Sequence, residues 1–325
     1  MPKKNKQIRV VSLFSGCGGG DLGLCGGFNF LNKKYAKQRF NIVWANDILP
    51  FAVDTYRKNF GPHITEKDIT KIKNLEIPEH DLLIGGFPCQ TFSMVGKRQG
   101  FLDPRGKLYM EMVRILKVKQ PPVFIAENVK GLVSVQNGDA FKKIISDFEG
   151  AGYKTYHKII NAANFGVPQK RERVIIIGIR NDIKIPFHFS LKHLSTVPLK
   201  KILEPNENIE KKYYFSERAT EGLKKANKAF NKGRSQDINK PCNTISTHLA
   251  KVSLNGTDPV LLVNGKYRRF TPREAARIQS FPENFEFSGS ESQQYIQIGN
   301  AIPPVMMWHI GKEVIKQIFD VKSKK

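Results

Sequence analysis

The chain reads as an α/β protein, a mostly parallel sheet with helices on both faces, joined by a second, smaller domain. Short β-rich apolar runs alternate with helical-looking stretches from Val10 to about residue 180, the layout of strand–helix–strand units. Beyond about Asn181 the alternation stops, and turn-formers and lysine clusters take over until regularity returns at Thr271. At 325 residues the chain can bury one large core and still carry a smaller domain.

Residues 10–14, 42–44, 81–84, 123–126 and 174–177 are the expected strands, because each is a short apolar run rich in Val, Ile, Leu or Phe. Residues 51–60, 107–117 and 139–150 are the helices between them, and 216–231 reads as a helix in the smaller domain. Thr271-Pro-Arg-Glu274 carries a cap, a proline at the first helical position and a glutamate three after the cap. That helix should stop before Phe281-Pro282, and a last apolar helix should cover 305–319. In such a sheet ligands bind beyond the carboxyl ends of the strands. Those ends read Gly16-Cys-Gly-Gly-Gly20, Asn46-Asp47, Gly86-Phe-Pro-Cys89 and Glu127-Asn128. Each strand thus brings a glycine loop, an acid or a nucleophile to one rim.

A formal net charge of +24 and a pI near 9.8 make nucleic acid the default partner, since a polyanion relieves the self-repulsion. Residues 181–270 hold 17 Lys and Arg against 8 Asp and Glu. A lysine-rich composition without any such role is the plainer alternative. The four cysteines, Cys17, Cys25, Cys89 and Cys242, form neither a metal-type pair nor a disulfide-like array, which suits a reducing compartment. No apolar run approaches the ~18 residues of a membrane span, and the lysine-rich start lacks a signal-peptide core. The expected location is the cytoplasm, on the nucleoid, with no membrane partner.

Most intracellular cysteines are inert core residues. Cys89 differs in following a proline on a stiff loop after Gly85-Gly86. Gly16 and Gly18 to Gly20 let backbone approach a ligand closely, although the spacing departs from G-x-G-x-x-G and a tight turn would explain them too. Asp47 is placed for a ribose hydroxyl, or is a solvated loop acid. Asp68-Ile69 is a weaker candidate for an adenine edge. Glu127 ends a buried strand, where a carboxylate costs desolvation unless it has a task or a salt bridge. Alternation puts Gln169, Arg171 and Arg173 on one face, suited to a phosphate or a base carbonyl, or simply to a solvated basic edge.

Together these residues resemble the DNA (cytosine-5) methyltransferase family, of the bacterial restriction-modification type. The matching pieces are Phe14-Ser-Gly-Cys-Gly-Gly19, Asn46-Asp47, Asp68-Ile69, Gly85-Gly-Phe-Pro-Cys-Gln90, Glu127-Asn-Val129, Gln169-Lys-Arg-Glu-Arg173, Arg269-Phe-Thr-Pro-Arg-Glu274 and Gly299-Asn300. They stand in the family's order and span nearly the whole chain except roughly 185–265. Asp47 stands where many members carry Glu, and Gly20 replaces a larger residue. The resemblance implies a Rossmann-like S-adenosylmethionine-dependent methyltransferase sheet over 1–184, completed by 286–325. A DNA target-recognition domain would cover 185–268, with 269–285 as the connection.

It implies methyl transfer from S-adenosyl-L-methionine to carbon 5 of a cytosine flipped out of double-stranded DNA. Cys89 would be the covalent nucleophile, Glu127 would hold ring nitrogen 3 and the exocyclic amine, Arg173 the ring oxygen, and Arg171 would support the loop. Phe14, Gly16, Cys17, Gly18, Gly19, Asp47, Ile48, Asp68, Ile69, Pro88, Leu108, Asn300 and Ala301 would line the cofactor site. Gln90, Ser93, Gln169, Asn243, Thr244 and Thr247 would meet DNA; the segment holding Asn243 to His248 could instead be a hydrogen-bonded loop that shapes the domain. No metal is implied, a monomer is expected, and a cognate restriction endonuclease acting on the same sequence is a further candidate partner; an orphan methylase would lack one. An NAD-type oxidoreductase has no use for Pro-Cys-Gln with Glu-Asn-Val, and a non-catalytic DNA-binding protein leaves the thiol and carboxylate unexplained. A transfer-RNA cytosine methyltransferase would carry Cys-Phe-Thr in the small domain, where this chain reads Pro241-Cys-Asn-Thr244.

Overall fold

Seven strands make the central sheet: β1 (Ile8–Leu13), β2 (Phe40–Asp47), β3 (Ile64–Glu66), β4 (Leu82–Gly85), β5 (Val123–Val129), β6 (Tyr153–Asn161) and β7 (Glu172–Arg180). The structure, a computed structural model, describes residues 6–88, 108–225, 235–250 and 258–321. The strand order is β3-β2-β1-β4-β5-β7-β6. β3, β2, β1, β4 and β5 run parallel, and β7 runs antiparallel to both β5 and β6. The mostly parallel sheet is therefore present, with an antiparallel pair at one edge.

The eight helices named among the described residues are α1 (Gly19–Cys25), α2 (Pro50–Phe60), α3 (Tyr109–Lys119), α4 (Asp139–Glu149), α5 (Glu217–Lys225), α6 (Pro272–Ile278), α7 (Glu291–Asn300) and α8 (Pro304–Val314). Strand alternation sorts their partners. Val11, Leu13, Leu83, Phe124 and Ala126 face α3 and α4, burying Met112, Leu116, Ile144 and Phe148. Ile8, Val10, Ile84, Ile125 and Ile175 face the other way, onto a core that includes Leu24, Tyr56, Val305 and Ile310. At ~25 cal/mol per Å² of apolar surface, two such layers are the main force holding the sheet.

Two strands escape the sequence pattern. β3 is three residues long, and β6 is an edge strand in which Lys154, His157, Lys158 and Ile159 are all exposed. A one-sided edge needs no continuous apolar run, and lysines on it discourage pairing with another chain. The α6 start is as expected: Thr271 Oγ1 accepts from Glu274 N, with Pro272 at the first turn. The last helix leaves α geometry after Val314 and finishes as a π-turn over Ile315–Phe319. The helix expected over 216–231 is α5, of which the part beyond residue 225 lies outside the described residues.

Between 185 and 268 the chain has short 3₁₀ turns and a hairpin of Leu261–Val263 with Lys266–Arg268. Phe187, Leu199, Ile202, Ile245 and Leu249 share one apolar cluster with Ile8 and Val305. This stretch is thus packed onto the sheet rather than joined by a free linker. Among the described residues no helix is long and apolar enough to cross a membrane.

Candidate active site

The carboxyl ends of β1, β2 and β3 form one half of the rim. Gly16 N–H donates to Asp47 Oδ2 at 2.7 Å and Leu49 N–H to Oδ1 at 3.0 Å. Burial pushes the Asp47 carboxyl up, and these backbone donors pull against it. A carboxylate offers about four lone-pair positions, so Asp47 keeps acceptor capacity beyond those two bonds. Gly16 has φ +54° and faces space with no atom within 4 Å of where a side chain would start, and beside Asp47 Ile48 is 59 % exposed. An acceptor for ribose hydroxyls, bare backbone and an accessible apolar side chain thus lie together, a set whose chemistry fits the nucleoside of S-adenosylmethionine. Asn46 Nδ2 donates to Thr65 O and Lys67 O, holding the next loop alongside. There Asp68 caps a 3₁₀ turn through Thr70 N and Oγ1, which lower its pKa.

Two expected cofactor contacts point elsewhere. Cys17 is buried, with Sγ 3.8 Å from Gln297 O, and burial pushes its thiol to about 12. The Ile69 side chain lies in the core beneath α3. Both can offer a ligand backbone only. Gly18 and Gly19 pack against Phe60 and Ile302, Ala301 is mostly buried and Asn300 is exposed at the end of α7. Phe14, Pro88 and Leu108 are half-buried, Phe14 with φ +53°.

The other half of the rim belongs to β4, β5 and β7. Glu127 sits inside β5, opposite Ile175, while Arg173 opposes Val129 on the same face. Arg173 Nε lies 3.0 Å from Glu127 Oε1, each side chain 11 % exposed. Glu127 Oε2 stands 3.4 Å from the point where a Gly86 side chain would begin. On the other face Asn128 Nδ2 donates to Phe87 O at 3.0 Å. Two adjacent residues of β5 thus brace the backbone that leads through Pro88 to Cys89. Cys89 itself, with Gln90 and Ser93, lies outside the described residues.

Arg171 and Gln169 do not belong to an open basic face. Arg171 is buried, and its guanidinium donates to Gly299 O at 2.9 Å and Ile245 O at 3.3 Å. Burial and then the neighbouring Arg173 hold its pKa well below the ordinary value. Its place supports the loop-bracing role rather than substrate contact. Gln169 corrects an expectation: it has no exposed surface and donates to Gln279 Oε1 and Ile278 O while accepting from Ile245 N. A side chain so enclosed cannot meet DNA. The cover is the segment around Cys242–Asn243, which pairs in parallel with Gln169–Lys170. The same segment crosses Gly299 so closely that a side chain there would meet Ser246 O at 2.5 Å. Asn243 and Thr244 remain exposed and Thr247 is half-buried; Thr244 Oγ1 donates to Lys170 O at 2.7 Å.

Behind the rim, Asp21, Arg114 and Arg268 were not singled out from sequence, and Glu274 only as part of a helix cap. Asp21 in α1 accepts from Ser12 Oγ (2.7 Å) and Tyr56 OH (2.8 Å), and burial pushes its carboxyl to about 6. Arg114 in α3 donates to Ile69 O, to the Asn74 side chain and to Glu111, fastening the Asp68 loop. Arg268 and Glu274 form a bidentate pair with no solvent exposure. Each residue looks ordinary locally, and part of its bonding comes from residues distant in the chain, as Tyr56 for Asp21 and Ile69 for Arg114. Among the described residues no cluster of three His, Cys, Asp or Glu could hold a metal ion.

Comparison with known proteins gives a consistent picture. The family model for C-5 cytosine-specific DNA methylases matches residues 8–316. The Type II methyltransferase M.NgoFVII of Neisseria gonorrhoeae is 36 % identical over 345 residues, covering 96 % of this chain and 87 % of that protein. M1.ScrFI of Lactococcus lactis subsp. cremoris is 36 % identical over 336 residues, 99 % of this chain and 81 % of its own. Among solved structures, S. pombe Dnmt2 methyltransferase superposes with a TM-score of 0.72 over 95 % of this chain and 99 % of that one, at 22 % identity.

Proposed function

The chain belongs to the C-5 cytosine-specific DNA methylase family, and from that premise we propose how its residues methylate carbon 5 of a cytosine in double-stranded DNA. The observation that carries the reading is the Glu127–Arg173 pair at 3.0 Å, set against Gly86 on the loop that leads to Cys89.

The target base leaves the stack and enters the rim. Glu127 meets ring nitrogen 3 and the exocyclic amine, and Arg173, held beside it, meets the ring oxygen. The Cys89 thiol gives up its proton and the sulfur bonds to carbon 6, so the electron pair of the 5,6 double bond becomes available at carbon 5. Negative charge displaced onto the ring is stabilised by a carboxyl proton that Glu127 presents to ring nitrogen 3 and by the Arg173 guanidinium at the ring oxygen, groups already fixed before the base arrives. Asp47, Ile48 and the glycine loop would hold S-adenosylmethionine, which would supply an electrophilic methyl group to carbon 5 and leave as S-adenosylhomocysteine. Loss of the hydrogen from carbon 5 as a proton restores the double bond and expels Cys89 as thiolate. Target recognition falls to 185–268, with Asn243, Thr244 and Thr247 as candidates for base-edge contact. A partner endonuclease acting on the same sequence fits the restriction-modification relatives.

Fluorine at carbon 5 cannot leave as a proton does, so duplex DNA carrying 5-fluorocytosine should end in a trapped adduct. The adduct should need S-adenosylmethionine, map to Cys89 and vanish in Cys89→Ala. Cys17 and Cys242 are poor alternatives, since both are buried with thiols pushed far up. Glu127→Gln should slow transfer by ~10²-fold or more with cofactor binding kept. Near-normal turnover in Cys89→Ala would overturn the mechanism.

A further inference from the structure

Between α1 and β2 the chain inserts a hairpin, Phe28–Phe30 with Lys33–Tyr35, which the central sheet does not use. Phe28 and Phe30 turn inward, while Lys33, Lys34 and Lys37 stand exposed. The hairpin is seated on α8: Trp308 Nε1 donates to Ala36 O at 2.9 Å and Gln38 Nε2 to Trp308 O at 3.1 Å. Tyr35 stacks on Phe28 at 5.0 Å and meets the Trp308 ring edge-on at 5.4 Å. Lys312, also exposed, lies 5.2 Å over the Trp308 ring.

These four lysines have no carboxylate partner among the described residues. The acids close by are engaged elsewhere, Asp320 with Arg39 and Glu313 with Lys316. Two of the charges meet at one point: burial first, then Lys312 and Lys33, pull His309 down to about 4, while Lys34 and Lys37 flank Lys33 in the chain. Four uncompensated ammonium groups on a rigid aromatic platform repel one another unless a polyanion covers them.

The patch lies at the end of the sheet away from the rim. Ile8, the first residue of β1, donates through its N–H to Arg39 O just after the hairpin, whereas the rim starts where β1 ends. Six strand residues at ~3.3 Å each set the two about 20 Å apart. A duplex lying across the strand ends, at right angles to the strands, would leave a patch that far behind them uncovered.

We propose that Lys33, Lys34, Lys37 and Lys312 form a second DNA-binding surface, which holds the phosphate backbone of a duplex segment other than the one being methylated. The partner is duplex DNA because the substrate is itself a polymer whose other segments are always near. Phosphate contact alone carries no sequence information, so this surface binds any sequence.

The test first saturates the full chain with a short duplex bearing its methylation site. A fluorescent 60-base-pair duplex lacking the site is then titrated in. Wild type should bind it, with log affinity falling against log salt at ~0.9 per phosphate neutralised. The variant carrying Lys33→Gln, Lys34→Gln, Lys37→Gln and Lys312→Gln should bind it at least tenfold more weakly, with a shallower slope. Its methyl transfer to the short duplex should be unchanged, which shows the fold intact, and Lys33→Gln with Lys34→Gln alone should fall in between. Failure of saturated wild type to take the second duplex, equal binding by the variant, or capture of single-stranded RNA in preference to duplex would each overturn the proposal.

Discussion

Glu274 offers the sharpest energetic test of the fold. Its Oε2 accepts from Arg268 Nη1 at 2.7 Å and Thr271 N at 3.0 Å, and its Oε1 from Arg268 Nη2 at 2.8 Å and Glu204 N at 3.0 Å. Four donors on three residues thus converge on a carboxylate with no solvent contact. In Glu274→Gln whichever oxygen becomes an amide loses two of those bonds and sets N–H groups against two donors. The remaining amide cannot offset the Arg268 charge. Breaking a buried pair from one side costs about 3–5 kcal/mol, and two hydrogen bonds to a charged group, at about 1.5–3 kcal/mol each, lead to a similar figure. Urea unfolding followed by Trp44 and Trp308 fluorescence measures it. Adding Arg268→Met should recover about 2 kcal/mol or more, since no unpaired charge is then left inside. A loss below about 1 kcal/mol for Glu274→Gln, or strict additivity in the double variant, would refute the reasoning.

Two further outcomes follow from groups behind the rim. Asp21 has its folded pKa raised from 3.8 to about 6. The unfolded chain therefore releases this proton first, and the stability it contributes is whole below about pH 4 and lost as pH rises through about 6. The change is about 3 kcal/mol. Asp21→Asn should flatten that fall, and an unchanged slope of stability between pH 4.5 and 7.5 would contradict the assignment. Arg114→Ala frees the Asp68 loop from α3, so calorimetry should find S-adenosylmethionine bound about fivefold more weakly, or ~1 kcal/mol. The KM for DNA should stay put; a shift in both constants would argue for general destabilisation instead.

The parallel half of the sheet was legible because strands buried on both faces must be continuous apolar runs, as in residues 82–84 and 123–126. The rim followed, since polar residues at the ends of such strands have few structural reasons to be there. Alternation suggested one open face for Gln169, Arg171 and Arg173, but the chain turns at Arg171, whose N–H donates to Gln169 O, and a period of two says nothing about what covers these side chains. The cover comes from Cys242 to Ser246, more than seventy positions later in the chain. β6 was missed for the opposite reason: an edge strand keeps solvent on one flank, so Lys154, Lys158 and His157 blur its pattern. Asp21 and Arg114 were passed over because a single acid or arginine in a helix is usually solvated.

The crossing of Ser246 over Gly299 bears on how such enzymes acquire new targets. Exchange of the 185–268 stretch for another would keep its fit only where the joint is kept too: Gln169 and Arg171 hold the Ile245 peptide on one bank, and Gly299 leaves room for Ser246 on the other. Any change at Gln169, Arg171 or Gly299 would therefore be felt in the segment that crosses them.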